Sequence, residues 1–458
     1  MSNPGDADTT PITGLDQLAA YIAAGCKPRE RFRIGTEHEK FGFRLNDLST
    51  PPYDAPDSRA TIRAMLEGMA AAGGEPILDH GNPIGLARGG ASISLEPAGQ
   101  LELSGAPLAT MQEAEAELAA HVEEVRRIGA PLGMGFAPLG FHPLASRAAM
   151  PWMPKGRYAI MRRYMPLVGS LGLDMMTRTC TVQVNLDYES EADMRRKLRV
   201  GLMLQPLATA LFANSPFTEG KPNGFLSYRA QVWTDTDNAR SGIPPVLLEP
   251  DFGFERYVRW LVEEVPMYFV YRDGAYIDVA GASFLDFLHG RVPALAGITP
   301  TLGDFADHMT TAFTDVRLKR FLEMRGADAG SPAMMLAQSA FWVGLLYDDA
   351  ALHAALSLIG DAGVTEAQAA RRAVPRQGLA TPWAGHTLRE LAADALAIAT
   401  DGLRARARRD SQGADEQRFL APLAEIVAGG PTQAEHWLAR FHGSWHGDVR
   451  NLVNEAIL

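Results

Sequence analysis

The sequence has very little cysteine: among its 458 residues only Cys26 and Cys180 occur, far apart in the chain. A disulfide framework or a zinc site built from thiolates needs several cysteines at close spacing, so the composition excludes both. The first ten residues also lack the apolar or arginine-rich pattern of a targeting segment. We therefore predict a cytoplasmic protein in a reducing environment.

Basic surface and long apolar runs are scarce as well. The 43 Lys and Arg residues are outnumbered by 54 Asp and Glu residues, which gives a formal net charge of -11. The one dense basic stretch, residues 404–409, has the pattern of a helix face, so a nucleic-acid partner is not expected. No segment reaches the roughly 18 apolar residues of a membrane span, which argues against a membrane partner.

Hydrophobic residues make up 47% of the chain, enough for a large core. Helical spacing and strand alternation predict a mixed arrangement of helices and strands. The predicted helices are 15–24, 59–72, 111–128 and 192–213. The predicted strands are 33–43, 179–187, 225–234 and 317–328, and 81–104 is a Gly-rich, β-like stretch. In 179–187 apolar side chains alternate with Gln183 and Asn185, which predicts a strand with one polar face.

The last hundred residues are rich in alanine and carry three capping-box patterns, which predict helices. The paired residues are Thr365 with Gln368, Thr387 with Glu390 and Thr432 with Glu435. No proline-rich linker separates this part from the rest. We therefore expect a single domain over 1–458, with a catalytic core at 15–350 and a helical part at 351–458 packed on it.

Glutamates recur on the predicted strands. Glu37 and Glu39 share one strand face about 7 Å apart, a spacing that lets two carboxylates share a hard cation. Glu96 precedes a Pro-Gly bend, and Glu102 lies between two leucines. An ordinary solvated strand face would show the same alternation, so each pattern alone leaves both interpretations open.

Glu323 alternates with Lys319 and Arg325, which could also be an exposed ladder of ion pairs. Taken together, five strand carboxylates without a His or Cys cluster favour Mg²⁺ or Mn²⁺ over zinc. Mg²⁺ in proteins commonly holds nucleotide phosphates, so the set points to ATP chemistry. His38 lies on the opposite strand face, and we expect it to make a structural hydrogen bond.

Other motifs narrow the possibilities. P-loop, dinucleotide-binding, kinase, zincin and hydrolase signatures are all absent from the sequence. Two Gly/Pro loops with cations, 153–158 and 215–224, could bind phosphate or carboxylate or could be plain surface turns. Met175 and Met176 are interpreted as core packing.

These motifs resemble the plant-type glutamate-cysteine ligases, a family also found in proteobacteria. The stretches that carry the resemblance are RIGTEHEKFGF, SLEPAGQLELSGAP, MPKGRYAIMRRYMP, VGSLGLDMMTRTCTVQVNLDY, ALFANSPFTEGKPNGFLS, VWTDTDNAR, VPMYFVYRDGAYID, RLKRFLEMRGAD and FWVGLLYD. They follow the family's order over about residues 15–350. The helical tail is less distinctive.

The resemblance implies an α+β fold with a glutamine-synthetase-like antiparallel sheet, a concave active site and surrounding helices. It also implies ATP-dependent ligation of the glutamate γ-carboxylate to cysteine through γ-glutamyl phosphate, the first step of glutathione biosynthesis. The expected partners are therefore glutamate, cysteine and ATP, with Mg²⁺ as cofactor and Mn²⁺ as an alternative. The matching metal-binding positions are Glu37, Glu39, Glu96, Glu102 and Glu323.

Further roles follow from residue type and motif position. Arg325, with Glu323, is expected to act in catalysis by stabilising the transferring phosphoryl group. The expected contacts to nucleotide phosphates are Lys155, Arg157 and Arg325, and the expected amino-acid contacts are Arg178, Gln183, Asn185, Arg229 and Trp233. A monomer or a homodimer would fit equally.

The chain departs from the plant pattern at a cysteine pair, where it carries Val279 and Ala294, so thiol regulation of the plant kind is not expected. Two alternative functions stay open. One is a γ-glutamyl ligase with another amine acceptor, because the acyl-phosphate half of the site would look the same. The other is a silent homologue that binds a nucleotide or an amino acid.

Overall fold

A computed structural model of the chain describes residues 8–458, and most of the polar start at 1–10 lies outside them. The α-helices are α1 Leu15–Ala23, α2 Ile62–Ala71, α3 Met111–Gly129, α4 Gly156–Val168, α5 Gly172–Arg178, α6 Glu191–Leu211, α7 Tyr228–Val232, α8 Phe254–Glu263, α9 Phe284–Leu288, α10 Leu302–Thr310, α11 Pro332–Leu346, α12 Asp349–Ile359, α13 Val364–Gln377, α14 Leu388–Arg406, α15 Ala421–Val427, α16 Gln433–His442 and α17 Arg450–Ala456.

The strands include several two-residue pairs. They are β1 Ile34–Arg44, β2 Glu75–Asp79, β3 Asn82–Arg88, β4 Ala91–Leu95, β5 Leu101–Ser104, β6 Met134–Ala137, β7 Thr181–Leu186, β8 Phe217–Thr218, β9 Lys221–Pro222, β10 Ser241–Gly242, β11 Phe269–Arg272, β12 Ala275–Asp278, β13 Phe313–Thr314, β14 Val316–Leu318, β15 Leu322–Asp328, β16 Pro382–Trp383 and β17 His386–Thr387.

Among the described residues, nine strands form one antiparallel sheet in the order β14-β15-β7-β1-β5-β4-β3-β2, with β6 paired to the far half of β1. The central strand β1 places Glu39 opposite Glu102 of β5 and Glu37 opposite Gln183 of β7. The predicted α+β class is therefore confirmed, with helices packed around an antiparallel sheet.

One face of the sheet is apolar and carries the main core. Val182, Val184 and Leu186 of β7 are at most 1% exposed and share a cluster with the apolar residues of α6 and α11. The same cluster takes in Leu388 and Leu403 of α14, so the C-terminal helices pack into the core of the sheet. The division into parts at 15–350 and 351–458 stays a prediction.

Two strand predictions were wrong. The predicted strand 225–234 is instead the short helix α7, because the Ser227 side chain accepts a hydrogen bond from the Ala230 N–H and caps it. The predicted strand 317–328 is a hairpin of β14 and β15, in which the Lys319 N–H donates to the Phe321 carbonyl and reverses the chain.

The capping boxes were predicted with partial success. Thr387 and Thr432 cap α14 and α16 with Glu390 and Glu435, which confirms two of the three. The third was wrong in its residues, because α13 begins after Gly363 and the Glu366 side chain accepts from the Gly363 N–H. Among residues 8–458, no helix is long and apolar enough to cross a membrane.

Helices α11 and α14 come into close contact at Gly344 and Gly402. A Cβ atom added at Gly402 would collide with the Gly344 carbonyl oxygen. Alanine favours a helix by only about 0.5–1 kcal/mol over glycine, whereas overpacking costs about 1–3 kcal/mol. We expect Gly402→Ala to lower the free energy of unfolding, measured in urea. Gly14→Ala, at an open position, is the control, and a Gly402→Ala protein as stable as this control would contradict the prediction.

Candidate active site

A cavity lies over the polar face of the sheet. Its floor comes from β1, β5, β7, β14 and β15, and α4, α5 and α7 contribute walls. The charged and amide residues that line it are Glu37, Glu39, Glu96, Gln100, Glu102, Arg157, Gln183, Arg229, Arg317 and Arg325. A concave site with convergent polar groups has the form of a small-molecule site.

Carboxylates concentrate at the β1 and β5 side of the cavity. Glu39 accepts a hydrogen bond from the Thr181 N–H at 2.9 Å, and Glu102 accepts one from the Ser94 hydroxyl at 3.1 Å. Burial, together with Glu37 and Glu96, raises the pKa of Glu102 to about 8. Burial also raises the pKa of Glu39, and Glu96 and Glu102 add to the effect.

Two carboxylates directly opposite each other on neighbouring strands destabilise a sheet unless a proton or a cation compensates them. The oxygen-only donor set matches the ligands that Mg²⁺ and Mn²⁺ prefer. Within residues 8–458, no group of three or more His, Cys, Asp or Glu side chains is arranged so that it could hold a metal ion. An ion at this surface would therefore need further oxygen ligands, such as those of bound phosphates.

Guanidinium groups gather on the other side, at β14 and β15. Arg317 donates to both oxygens of Glu323, at 2.6 and 2.9 Å, and Arg325 bridges Glu323 and Gln183 at 2.9 and 2.6 Å. Burial alone would raise the pKa of Glu323, but Arg317, Lys319 and Arg325 outweigh it and hold that pKa well below the ordinary value. Glu323 is thus an anchor for two arginines.

Helix α7 brings Arg229 and Trp233 to the same cavity. The Arg229 guanidinium donates to the Arg325 carbonyl at 3.0 Å and to the Gly326 carbonyl at 3.4 Å. Trp233 packs edge-on against Phe313, with ring centroids 5.8 Å apart. Arg229 also lies close enough to Glu39 to lower the pKa of that carboxyl in part.

Four of the predicted site residues lie outside the lining. Lys155 donates to the Leu95 carbonyl at 2.9 Å, and burial, with Arg157, lowers its pKa to about 8. Asn185 donates to Glu37 at 2.8 Å. Arg178 pairs with Asp174 and Glu219, and Glu323 lies beneath Arg317 and Arg325.

The structure also adds residues that were missed. Met175 and Met176 belong to an apolar cluster, as the core-packing interpretation expected, and they also line the cavity with Met161, Phe269 and Phe313. Arg317 was visible only as part of a charged strand. Its pairing with Glu323 across a hairpin had no local signal, because it depends on the turn between β14 and β15. His38 makes the expected structural contact, since its Nδ1 lies 2.7 Å from the Lys40 Nζ.

Comparison with known proteins identifies the family of this chain. The model of glutamate-cysteine ligase family 2 matches residues 33–455. The chain belongs to this family. It is 49% identical over 450 residues to the chloroplastic glutamate-cysteine ligase of Medicago truncatula, covering 98% of this chain and 86% of that protein. The Arabidopsis thaliana enzyme is 50% identical, with coverages of 98% and 84%. The expected family and enzyme class are confirmed.

A solved structure supports the fold. The crystal structure of a glutamate-cysteine ligase from Francisella tularensis in complex with AMP has a TM-score of 0.56 to this chain at 13% identity. The match covers 90% of this chain and 85% of the other. At this low identity the likeness concerns the fold, and it confirms the expected ligase architecture.

The predicted cytoplasmic location was wrong. The Medicago and Arabidopsis relatives are both named as chloroplastic, as are those from Brassica juncea and Nicotiana tabacum. The prediction rested on sparse cysteine and on the composition of the first residues. A reducing organelle interior favours the same cysteine usage, so composition could not separate the two compartments.

The opposed carboxylates predict a stability gain when one charge is removed. The pKa of Glu102 is raised in the folded state to about 8 from 4.5. The ionised Glu102 side chain therefore destabilises the folded state, and this destabilisation is absent below about pH 4.5 and grows as the pH rises to about 8. We expect Glu102→Gln to raise the free energy of unfolding in EDTA by on the order of 1 kcal/mol at pH 8, and by less at pH 5. Urea unfolding at both pH values measures this, with exposed Glu123→Gln as control. A less stable variant at pH 8 would contradict it.

Proposed function

We propose that this chain joins the γ-carboxylate of L-glutamate to the amino group of L-cysteine and converts ATP to ADP and phosphate, the first step of glutathione biosynthesis. The observation that carries the proposal is one cavity lined by both carboxylates and guanidinium groups. The family of the chain and the names of its plant relatives supply the substrates. ATP use is in keeping with the ligase family.

The chemistry explains why both charges are needed. A free carboxylate is a poor acyl donor because its leaving group would be oxide. Transfer of the γ-phosphoryl group of ATP to the glutamate γ-carboxylate gives γ-glutamyl phosphate and releases ADP. The neutral amine of cysteine then attacks the acyl carbon, phosphate leaves, and the nitrogen loses a proton as the amide forms.

In this proposal Glu37, Glu39, Glu96 and Glu102 hold Mg²⁺, with Mn²⁺ as an alternative. Bound metal would neutralise charge on the ATP phosphates. Asn185 orients Glu37 through their hydrogen bond. Glu323, also expected as a metal ligand, has both oxygens occupied by arginines in this structure, so we assign it to orient Arg325 and Arg317.

Arg325 and Arg317 would stabilise the negative charge on the transferring phosphoryl oxygens. Arg325 is well placed for this because Gln183 and Glu323 fix its guanidinium beside the cavity. Arg157 lines the cavity next to Glu96 and Tyr158, and we assign it to the nucleotide phosphates. Lys155 would act beside it by holding the Leu95 carbonyl and adding positive charge.

The amino-acid substrates would lie toward α7. We assign Arg229 to a substrate carboxylate, since a guanidinium binds carboxylates as a rigid fork. Gln183 provides a polar floor, and Trp233 forms the wall with Phe313. Arg178 would support this region from outside, because it ties α5 to Glu219 in the 215–224 loop.

Turnover of ATP by each substrate pair tests the proposed reaction. We expect ADP release that requires glutamate and is strongly raised by cysteine, with γ-glutamylcysteine identified by mass. Parallel reactions with 2-aminobutyrate report the acceptor preference. ADP formation that cysteine does not raise would contradict the cysteine assignment and indicate another amine. No ADP release with any pair would contradict the enzyme and favour a silent homologue.

Loss of one carboxylate tests the metal assignment. We expect Glu39→Gln to lower ADP release by at least a hundredfold, because the metal site would lose a charged ligand, and to leave the circular dichroism spectrum unchanged. Exposed Glu30→Gln is the control. Chelation of the wild-type enzyme with EDTA should also abolish turnover, and excess Mg²⁺ should restore it. Near-normal turnover by Glu39→Gln would contradict the assignment.

A further inference from the structure

Asp328, at the end of β15, is the centre of a buried hydrogen-bond network behind the cavity. The side chain is only 1% exposed and does not line the cavity. Its Oδ1 accepts from the Ser227 hydroxyl at 2.8 Å, and its Oδ2 accepts from the Ser215 hydroxyl at 2.6 Å and the Asn214 N–H at 2.8 Å. All three donors belong to the segment that leads into α7.

Both serines also form hydrogen bonds with α7, and so connect the helix to Asp328. The Ser215 oxygen accepts from the Arg229 N–H at 3.1 Å, and the Ser227 oxygen accepts from the Ala230 N–H at 3.1 Å. Each hydroxyl therefore donates to Asp328 and accepts from the first turn of the helix. A helix of five residues has few internal hydrogen bonds, so its position depends on such external contacts.

The other end of the Arg229 side chain returns to the same strand. Its guanidinium donates to the carbonyls of Arg325 and Gly326, three and two residues before Asp328. Arg229 is thus held at its backbone through Ser215 and at its tip by β15 itself. Its buried Nε has no hydrogen-bond partner among the described residues.

We propose that Asp328 is a positioning residue for Arg229: it fixes α7 through Ser215 and Ser227, so that the Arg229 guanidinium meets the carboxylate of an amino-acid substrate. This inference rests on the proposed function, in which Arg229 binds that carboxylate. Asp328 itself contacts no substrate. Its negative charge also lies near Arg229 and helps to compensate the buried guanidinium.

A purely structural role for Asp328 predicts different kinetics. A network that only stabilises the fold would lower the amount of active enzyme and would leave the KM values unchanged. A positioning role acts on the substrate held by Arg229 and spares ATP. It also requires that the effect of Asp328 disappear once the Arg229 side chain is removed.

The test is a double-mutant cycle with Asp328→Asn and Arg229→Ala, read as separate KM values for glutamate, cysteine and ATP. We expect Asp328→Asn to raise at least tenfold the KM of the same amino acid that Arg229→Ala affects, while the KM for ATP changes less than twofold. In the Arg229→Ala background, Asp328→Asn should add less than a further twofold. The buried Asp193, which pairs with Lys197 far from α7, supplies the control Asp193→Asn.

Ser215→Ala provides the second variant if Asp328→Asn does not fold, because it keeps the Asp328 charge and removes the link that Ser215 forms between Asp328 and the Arg229 N–H. It should raise the same KM. Equal changes in all three KM values, additive effects in the cycle, or the same result from Asp193→Asn would overturn the inference. If the wild-type enzyme is active and the variants keep its KM values, the inference is overturned but the proposed function stands. A wild-type chain without glutamate-dependent ADP release would overturn both the inference and the proposed function.

Discussion

The antiparallel register of β1 between β5 and β7 is the constraint on which the site depends. It sets Glu39 opposite Glu102 and Glu37 opposite Gln183 on one polar face. A shift by one residue would turn these side chains into the core and bring His38 and Lys40 to the cavity. The apolar residues of β7, buried under α6 and α11, make that shift costly. Core packing on one face therefore holds the charged constellation on the other.

This arrangement places like charges close together in a buried site, which is electrostatically unfavourable. Burial and mutual repulsion raise the pKa values of Glu39 and Glu102, whereas Arg317, Lys319 and Arg325 hold that of Glu323 far below its ordinary value. Glu39 and Glu102 thus lie among carboxylates that repel them, whereas Glu323 is paired with two arginines. A site that binds a cation with phosphates and then transfers a phosphoryl group needs this kind of asymmetry.

Strand alternation allowed much of this sheet to be predicted from sequence. The polar face of β7 and the pairing of Glu37 with Glu39 follow from a period of two, which is a local property. Helix α7 was predicted as a strand because its five residues have little helical signal of their own, and its first turn is held by Ser215 and Ser227, which bind Asp328. The cavity role of Met175 and Met176 was missed for the same reason, since it depends on where α5 packs.

The C-terminal helices extend this dependence to the far end of the chain. The Trp437 indole of α16 donates to the Asn214 side chain at 2.8 Å, and the Ala434 N–H donates to the Ala213 carbonyl at 3.0 Å. Asn214 is also a backbone donor to Asp328. The tail therefore supports the segment that leads into α7 from one side, while β15 holds it from the other. An alanine-rich helical region with few distinctive residues of its own can in this way fix the geometry of a site to which it contributes no lining residue.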